Sequence, residues 1–324
     1  MTDFKAIFGK KIKFQTTDLT AGPATEGELF YSDTDAKFKV GVNVESWAAG
    51  ENLNTTRGRL AMFGTQTAAV AVAGSPNQTA VTNATEEYDG TNWTSVNNCN
   101  TSREAAGSGF GVLTAGVLVG GYPGGPTYTA ATEEYDGTNW TNVTNAPYIV
   151  TLAASFGILT AGVVAGGDPG SKTTSLEYDG TNWATGGTIN TGRSQAGGAG
   201  TLAAGVIFGG TPLVAVCEEY DGTNWTESGD LPAGQQYGGG AGTQTAALSF
   251  GGMSGPTTAT TNTNKYDGST WTATSAMSTA RMRNGGAGTQ TAAVAAGGAN
   301  PHTTTINTTD EWNIAVALKT VTDS

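Results

Sequence analysis

Glu-Tyr-Asp-Gly-Thr-Asn-Trp occurs at 87–93, 134–140, 177–183 and 219–225, with a weaker copy, Lys-Tyr-Asp-Gly-Ser-Thr-Trp, at 265–271. Tyrosine-to-tyrosine steps are 47, 43, 42 and 46 residues, and one further step of 46 lands on Trp312. Trp47 lies 46 residues before Trp93, so the repeat accounts for all seven tryptophans. A period in the forties constrains the fold strongly. A unit that short cannot bury its own faces, so its copies must stack on one another.

A second segment keeps step with the first. It runs from Gly64 to Gly74, Gly111 to Gly121, Gly157 to Gly167, Gly200 to Gly210, Gly242 to Gly252 and Gly288 to Gly298, and its six copies set the number of units. Its Thr-Ala-Ala-Val-Ala-Val type of run reads as a short inner strand whose small side chains let neighbours approach, and the closing glycines allow a tight turn. Tyr-Asp-Gly-Thr-Asn-Trp reads as a hairpin. Its flanking aromatics supply the large apolar area that the unit otherwise lacks. They are Tyr88 and Trp93, Tyr135 and Trp140, Tyr178 and Trp183, Tyr220 and Trp225, and Tyr266 and Trp271, with Trp312 and Trp47 unmatched at the two ends.

Repeats of this length fit the blades of a propeller, since the coils of a β-helix are much shorter. The expectation is an all-β chain with a single six-bladed β-propeller over residues 47–319. Residues around Trp47 would complete the blade begun near the C-terminus, so that the N-terminal strand closes the ring and removes an open sheet edge. Residues 1–24 stand outside the repeat as an arm, 25–46 as a lead-in hairpin and closing strand, and 320–324 as a tail.

Composition narrows the function classes. Charged residues are only 13% of the 324, and the formal net charge is -12. That sign opposes tracking along phosphates or docking on anionic membranes, so neither nucleic-acid binding nor membrane insertion is expected. No apolar run approaches the ~20 residues of a membrane span. The start lacks a secretory pattern, which points to synthesis in cytoplasm. Two cysteines, Cys99 and Cys217, and one histidine, His302, give no basis for a disulfide framework, a metal site or a cofactor.

A Gly pair ending an apolar strand, followed by Tyr and Trp a few residues apart, resembles the kelch repeat. The likeness covers roughly residues 47–319 and implies the propeller, while leaving activity open. The wording of units such as 242–252, and the segment Gly27-Glu28-Leu29-Phe30-Tyr31-Ser32-Asp33-Thr34-Asp35-Ala36-Lys37-Phe38-Lys39-Val40, is similar to kelch-like virion proteins of marine tailed phages. That resemblance implies a non-enzymatic structural protein on the particle exterior, as a fibre, capsid decoration or host-surface adhesion module. The alternatives are a carbohydrate-active propeller enzyme and an intracellular kelch-type interaction module. Copper chemistry of the galactose-oxidase kind needs two histidines and does not carry over.

Three groups of residues invite a functional reading. Arg57, Arg103, Arg193 and Arg281 each lie ten residues after a repeat tryptophan, with Tyr148-Ile149-Val150 and Gln235-Gln236 in the corresponding places of two other units. They would form a cationic rim at a channel mouth, fit for an acidic glycan or a partner loop, or else bond carbonyls of the neighbouring blade. Glu87, Glu134, Glu177 and Glu219 recur once per blade and so cannot pair for acid–base catalysis. Phe4, Phe8, Lys10, Lys11 and Phe14 make the first segment cationic and aromatic on an acidic chain, an attachment surface for other virion proteins. The long connections 122–131 and 254–263 are candidate contact loops, with a host-surface glycan or protein as partner.

Overall fold

The computed structural model describes residues 19–22, 25–104 and 108–321, together with the backbone of strands at 4–7 and 10–15. The first strands are β1 (Phe4–Ile7), β2 (Lys10–Gln15), β3 (Leu29–Ser32) and β4 (Lys37–Gly50). The first blade comprises β5 (Ala61–Thr65), β6 (Ala68–Val72), β7 (Thr85–Tyr88) and β8 (Trp93–Val96). The second comprises β9 (Gly109–Val112), β10 (Ala115–Val119), β11 (Thr132–Tyr135) and β12 (Trp140–Val143). The third comprises β13 (Ala154–Ile158), β14 (Ala161–Ala165), β15 (Ser175–Tyr178) and β16 (Trp183–Thr185). The fourth comprises β17 (Gly197–Thr201), β18 (Ala204–Phe208), β19 (Cys217–Tyr220) and β20 (Trp225–Ser228). The fifth comprises β21 (Gln236–Thr243), β22 (Ala246–Met253), β23 (Thr263–Tyr266) and β24 (Trp271–Ala273). Last come β25 (Gly285–Gly288), β26 (Ala292–Ala296) and β27 (Thr309–Thr320), in a sheet ordered β1-β2-β3-β4-β27-β26-β25.

Contacts divide the chain into two units, Trp47–Trp312 and a second made of Met1–Ser46 with Asn313–Ser324. The repeat unit therefore ends at Trp312 rather than at 319. β27 is long, and only its first residues belong with the blades; further along, the Val321 N–H bonds the Phe38 carbonyl. Within the second unit β1 and β2 form a hairpin, β2 runs parallel to β3, and β3 pairs antiparallel with β4. The expected break at 24/25 does not appear, because the β2–β3 ladder crosses it. The side chains of Phe4, Lys10, Lys11 and Phe14, and Phe8 as a whole, lie outside the described residues.

In Trp47–Trp312 the strands β5, β9, β13, β17, β21 and β25 each pack against the next, and β25 packs against β5. This is a six-bladed propeller. The Ala-Ala-Val-Ala-Val run forms the second strand of each blade, one place further out than its small side chains led us to expect. It is buried on both faces, whereas the innermost strands are glycine-rich and line a central cavity of about 60 Å³. Phenylalanines of the inner strands fill the space that glycines of the next blade leave. A Cβ on Gly116 would stand 2.2 Å from the Phe63 ring, and one on Gly162 1.9 Å from Phe110.

The repeated hairpin behaves as its residues dictate. Tyr88 and Trp93 are paired across β7 and β8 with rings stacked at 4.8 Å, and the copies follow at 4.6–4.9 Å. In the turn, Gly90 takes φ 90° and the Asp89 carboxylate accepts from the N–H groups of Thr91 and Asn92. The unmatched aromatics are partners of each other, with Trp47 and Trp312 ring centroids 5.5 Å apart. Such pairs contribute roughly 0.5–1.5 kcal/mol beyond their area burial.

Three sets of bonds join neighbouring blades. The tyrosine hydroxyl donates to a glutamate of the preceding blade: Tyr88 to Glu311, Tyr135 to Glu87, Tyr178 to Glu134, Tyr220 to Glu177 and Tyr266 to Glu219. At the sixth junction both partners change, to Trp312 and Lys265. At four junctions tryptophan Nε1 donates to a hydroxyl at the start of the preceding blade's third strand: Trp93 to Thr309, Trp140 to Thr85, Trp225 to Ser175 and Trp47 to Thr263. The turn before each second strand supplies the third. Gln66, Gln244 and Gln290 each bond two carbonyls of the preceding blade. Leu113, Leu159 and Leu202 occupy that place in the second to fourth blades and pack apolar clusters instead.

Candidate functional site

The four repeated arginines are fully buried, so they form no open rim. Arg57 pairs with Glu86, Arg103 with Glu133, Arg193 with Glu218 and Arg281 with Asp310. Each guanidinium also bonds carbonyls of its own blade, such as Ala71 and Ala84 for Arg57, and Gly120 and Ala131 for Arg103. Burial lowers the Arg57 pKa to about 10 against the opposing pull of Glu86. What crosses to the neighbouring blade is the main chain. The N–H of Gly74 bonds the Arg103 carbonyl, and the corresponding bonds continue around the ring to Gly298 and Arg57.

The acids in these pairs precede the repeated Glu-Tyr and escape notice in the sequence, yet the copies change together. Where the third blade has Val150 in the arginine place, it has Leu176 in the acid place, and the two share one apolar cluster. The fifth has Gln235 and Asn264. A third position follows suit. Asn54, Asn100 and Asn190 donate a backbone N–H to the acid, and the third and fifth blades place Pro147 and Pro232 there. Proline has no N–H to leave unsatisfied.

Once these charges are committed to structure, the variable surface stands out. Two residues beyond each arginine place, at the end of the channel, Arg59, Leu152, Gln195, Tyr237 and Arg283 take φ between 53° and 61°. The sixth, Ala105, lies outside the described residues. Their main chains are linked in sequence: Arg59 N–H to the Arg283 carbonyl, Arg283 to Tyr237, Tyr237 to Gln195 and Gln195 to Leu152. Left-handed backbone costs a residue with a side chain about 1 kcal/mol, which glycine avoids. A chain with 49 glycines nonetheless keeps four kinds of side chain at these five positions, none of them glycine. Sequence reading missed this set because it has no common residue type; its signal was a fixed offset at which only two copies, Arg59 and Arg283, agree.

Around this mouth a single nitrogen of Arg59, Nη1, donates to both oxygens of the Glu104 carboxylate, each at 2.7 Å. A cavity of about 220 Å³ is lined by Arg59, Glu104, Tyr122, Tyr128, Thr151, Leu152 and Tyr237. A smaller recess of about 40 Å³ shares Leu152 and Tyr237 and adds Gln195 and Arg283. Arg283 lies over the Tyr237 ring at 4.8 Å, and its Nη1 and Nη2 reach Gln78 Oε1 at 2.5 Å and His302 Nε2 at 2.6 Å. A guanidinium only donates, so His302 accepts through Nε2 as the neutral imidazole. Burial, Arg283 and Arg59 all lower its pKa from 6.5. The loop containing Tyr122 and Tyr128 thus borders this cavity, while Ser254, Thr260 and Thr263 line a different one of about 170 Å³ on the fifth blade. Among the described residues, no group of three His, Cys, Asp or Glu side chains is placed to hold a metal. Cys99 and Cys217 are buried free thiols with pKa pushed up to about 12, chiefly by burial.

No family model matches the sequence, and no curated protein matches it. Solved structures do match. A structure described as "Structure of YjhT" aligns with a TM-score of 0.69 at 12% identity, over 83% of this chain and 99% of that one. At that identity the likeness shows the fold alone.

Proposed function

We propose that this chain is a non-enzymatic kelch-type propeller displayed on the exterior of a tailed-phage particle, where the channel mouth recognises a partner on the host surface. The observation that carries the reading is the ring of left-handed residues. Four kinds of side chain stand at a position where the backbone favours glycine, on a frame that otherwise repeats closely. A rigid scaffold with one variable face suits recognition. The repeated acids favour the same reading, because those that could serve as proton donors are bound to arginine or tyrosine. Phage origin rests on the resemblance of residues 27–40 and of the repeat wording. Attachment to other virion proteins is assigned to the N-terminal segment, including Phe4, Phe8, Lys10, Lys11 and Phe14.

Labelling the chain on purified particles and imaging them tests the proposal. The label is expected on the outer surface of capsid or tail. Particles without label, with the protein recovered only from the soluble fraction of infected cells, would overturn it. Deleting residues 1–20 is expected to abolish incorporation while the isolated propeller still melts cooperatively.

A further inference from the structure

Arg283 differs from the other buried arginines. It is 6% exposed, its Nη atoms face the neutral partners Gln78 and His302, and its Nε has no hydrogen-bond partner among the described residues. Arg57, Arg103, Arg193 and Arg281 each have a carboxylate. A buried cation with only neutral partners is costly to keep, and an incoming anion relieves that cost. Burial and then Arg59 depress the Arg283 pKa, against a smaller opposing pull from Tyr237 and Glu104. Since Glu104 neutralises Arg59, the cluster carries a net charge of about one positive unit on a strongly acidic protein.

The rest of the mouth limits what that anion is attached to. At ~30 Å³ per water, 220 Å³ holds about seven waters, comparable with one sugar ring. Tyr122, Tyr128 and Tyr237 supply flat apolar faces with hydroxyls at their rims, and Glu104 and Thr151 add acceptors suited to ring hydroxyls. One positive charge matches a monoanionic carboxylate, planar and able to engage a guanidinium through two bonds. A phosphate dianion would face the Glu104 carboxylate with one charge uncompensated. We infer that the channel mouth is a binding site for a carboxylated sugar of the hexuronic acid type, its carboxylate on Arg283 and its ring against the tyrosines. The inference rests on reading this mouth as the recognition face, but not on where the protein resides.

Matched probes test it, because D-glucuronate and D-galacturonate differ from D-glucose and D-galactose only in carrying a carboxylate at C6. Titration calorimetry is expected to show at least one uronate binding while its neutral counterpart binds at least ten-fold more weakly. Arg283→Gln is expected to weaken uronate binding roughly ten- to hundred-fold, and Tyr128→Ala, on an exposed rim, to weaken it with unchanged melting. His302 is the one histidine of the chain, so its imidazole signal needs no assignment. Its apparent pKa should rise when uronate neutralises Arg283 and stay put with glucose. The inference is overturned by equal binding of acid and neutral sugars, by phosphate binding as tightly as uronate, or by no uronate binding to well-folded protein. Should it fail while particle labelling succeeds, the display reading stands without this ligand.

Discussion

Copying the third blade's apolar set into the fourth tests whether the buried ion pairs act as units. Glu218 accepts from Arg193, from the Asn190 N–H at 2.6 Å and side-chain amide at 2.9 Å, and from the Thr191 N–H at 3.1 Å. Arg193 in turn donates to the carbonyls of Thr191 at 3.1 Å, Val216 at 2.6 Å and Gly209 at 3.3 Å. Arg193→Val strands a buried carboxylate, and Glu218→Leu strands a buried guanidinium and two N–H groups. Each should cost about 3–5 kcal/mol, so independent effects would sum to about 6–10 kcal/mol. Combining them with Asn190→Pro reproduces the arrangement of Pro147, Val150 and Leu176. The Thr191 N–H then remains as the principal orphan, at about 1–3 kcal/mol. The expected result is a triple variant more stable than either single charge deletion, with a coupling energy of several kcal/mol. Urea unfolding with an unchanged m-value reads it directly. A triple variant as unstable as the sum, or single variants costing under about 1 kcal/mol, would refute the reasoning.

Three other outcomes follow from the same contacts. Tyr135→Phe removes a hydrogen bond to the Glu87 carboxylate and should cost about 1.5–3 kcal/mol, visible in thermal melts, whereas Tyr128→Phe should be neutral. Gly162→Ala drives a methyl into the Phe110 ring and should cost about 1–3 kcal/mol from overpacking. The turn carboxylates Asp89, Asp136, Asp179, Asp221 and Asp267 are held below their ordinary value of 3.8, chiefly by backbone N–H bonds. A depressed folded-state pKa gives stability that is present above the unfolded value and lost as pH falls through the folded one. Melting temperature should therefore drop below about pH 3.8, and less steeply when these aspartates are replaced by asparagine.

The propeller was legible because its anchors are aromatic, numerous and evenly spaced. Position within a blade was less so. Ala68–Val72 looks like the narrowest part of the fold, but residues such as Gly109 and Gly285, which carry no apolar signature, stand closer to the axis. The arginines misled for a related reason. Arg57 reads as surface charge until Glu86 is seen to vary with it, and a pairing across 29 residues has no local mark. Tyr237 and Arg283 share no pattern at all, since a left-handed position held by main-chain bonds accepts any side chain.

The turn residues Gln66, Gln244 and Gln290 against Leu113, Leu159 and Leu202 give the ring two kinds of hinge pin. At this position three consecutive joints, between the fourth, fifth, sixth and first blades, carry amide hydrogen bonds, and the other three carry apolar contact in their place. Apolar attraction weakens as water cools, and hydrogen bonds do not share that dependence. At low temperature these pins hold the ring more firmly on its glutamine side than on its leucine side, and warming evens the two.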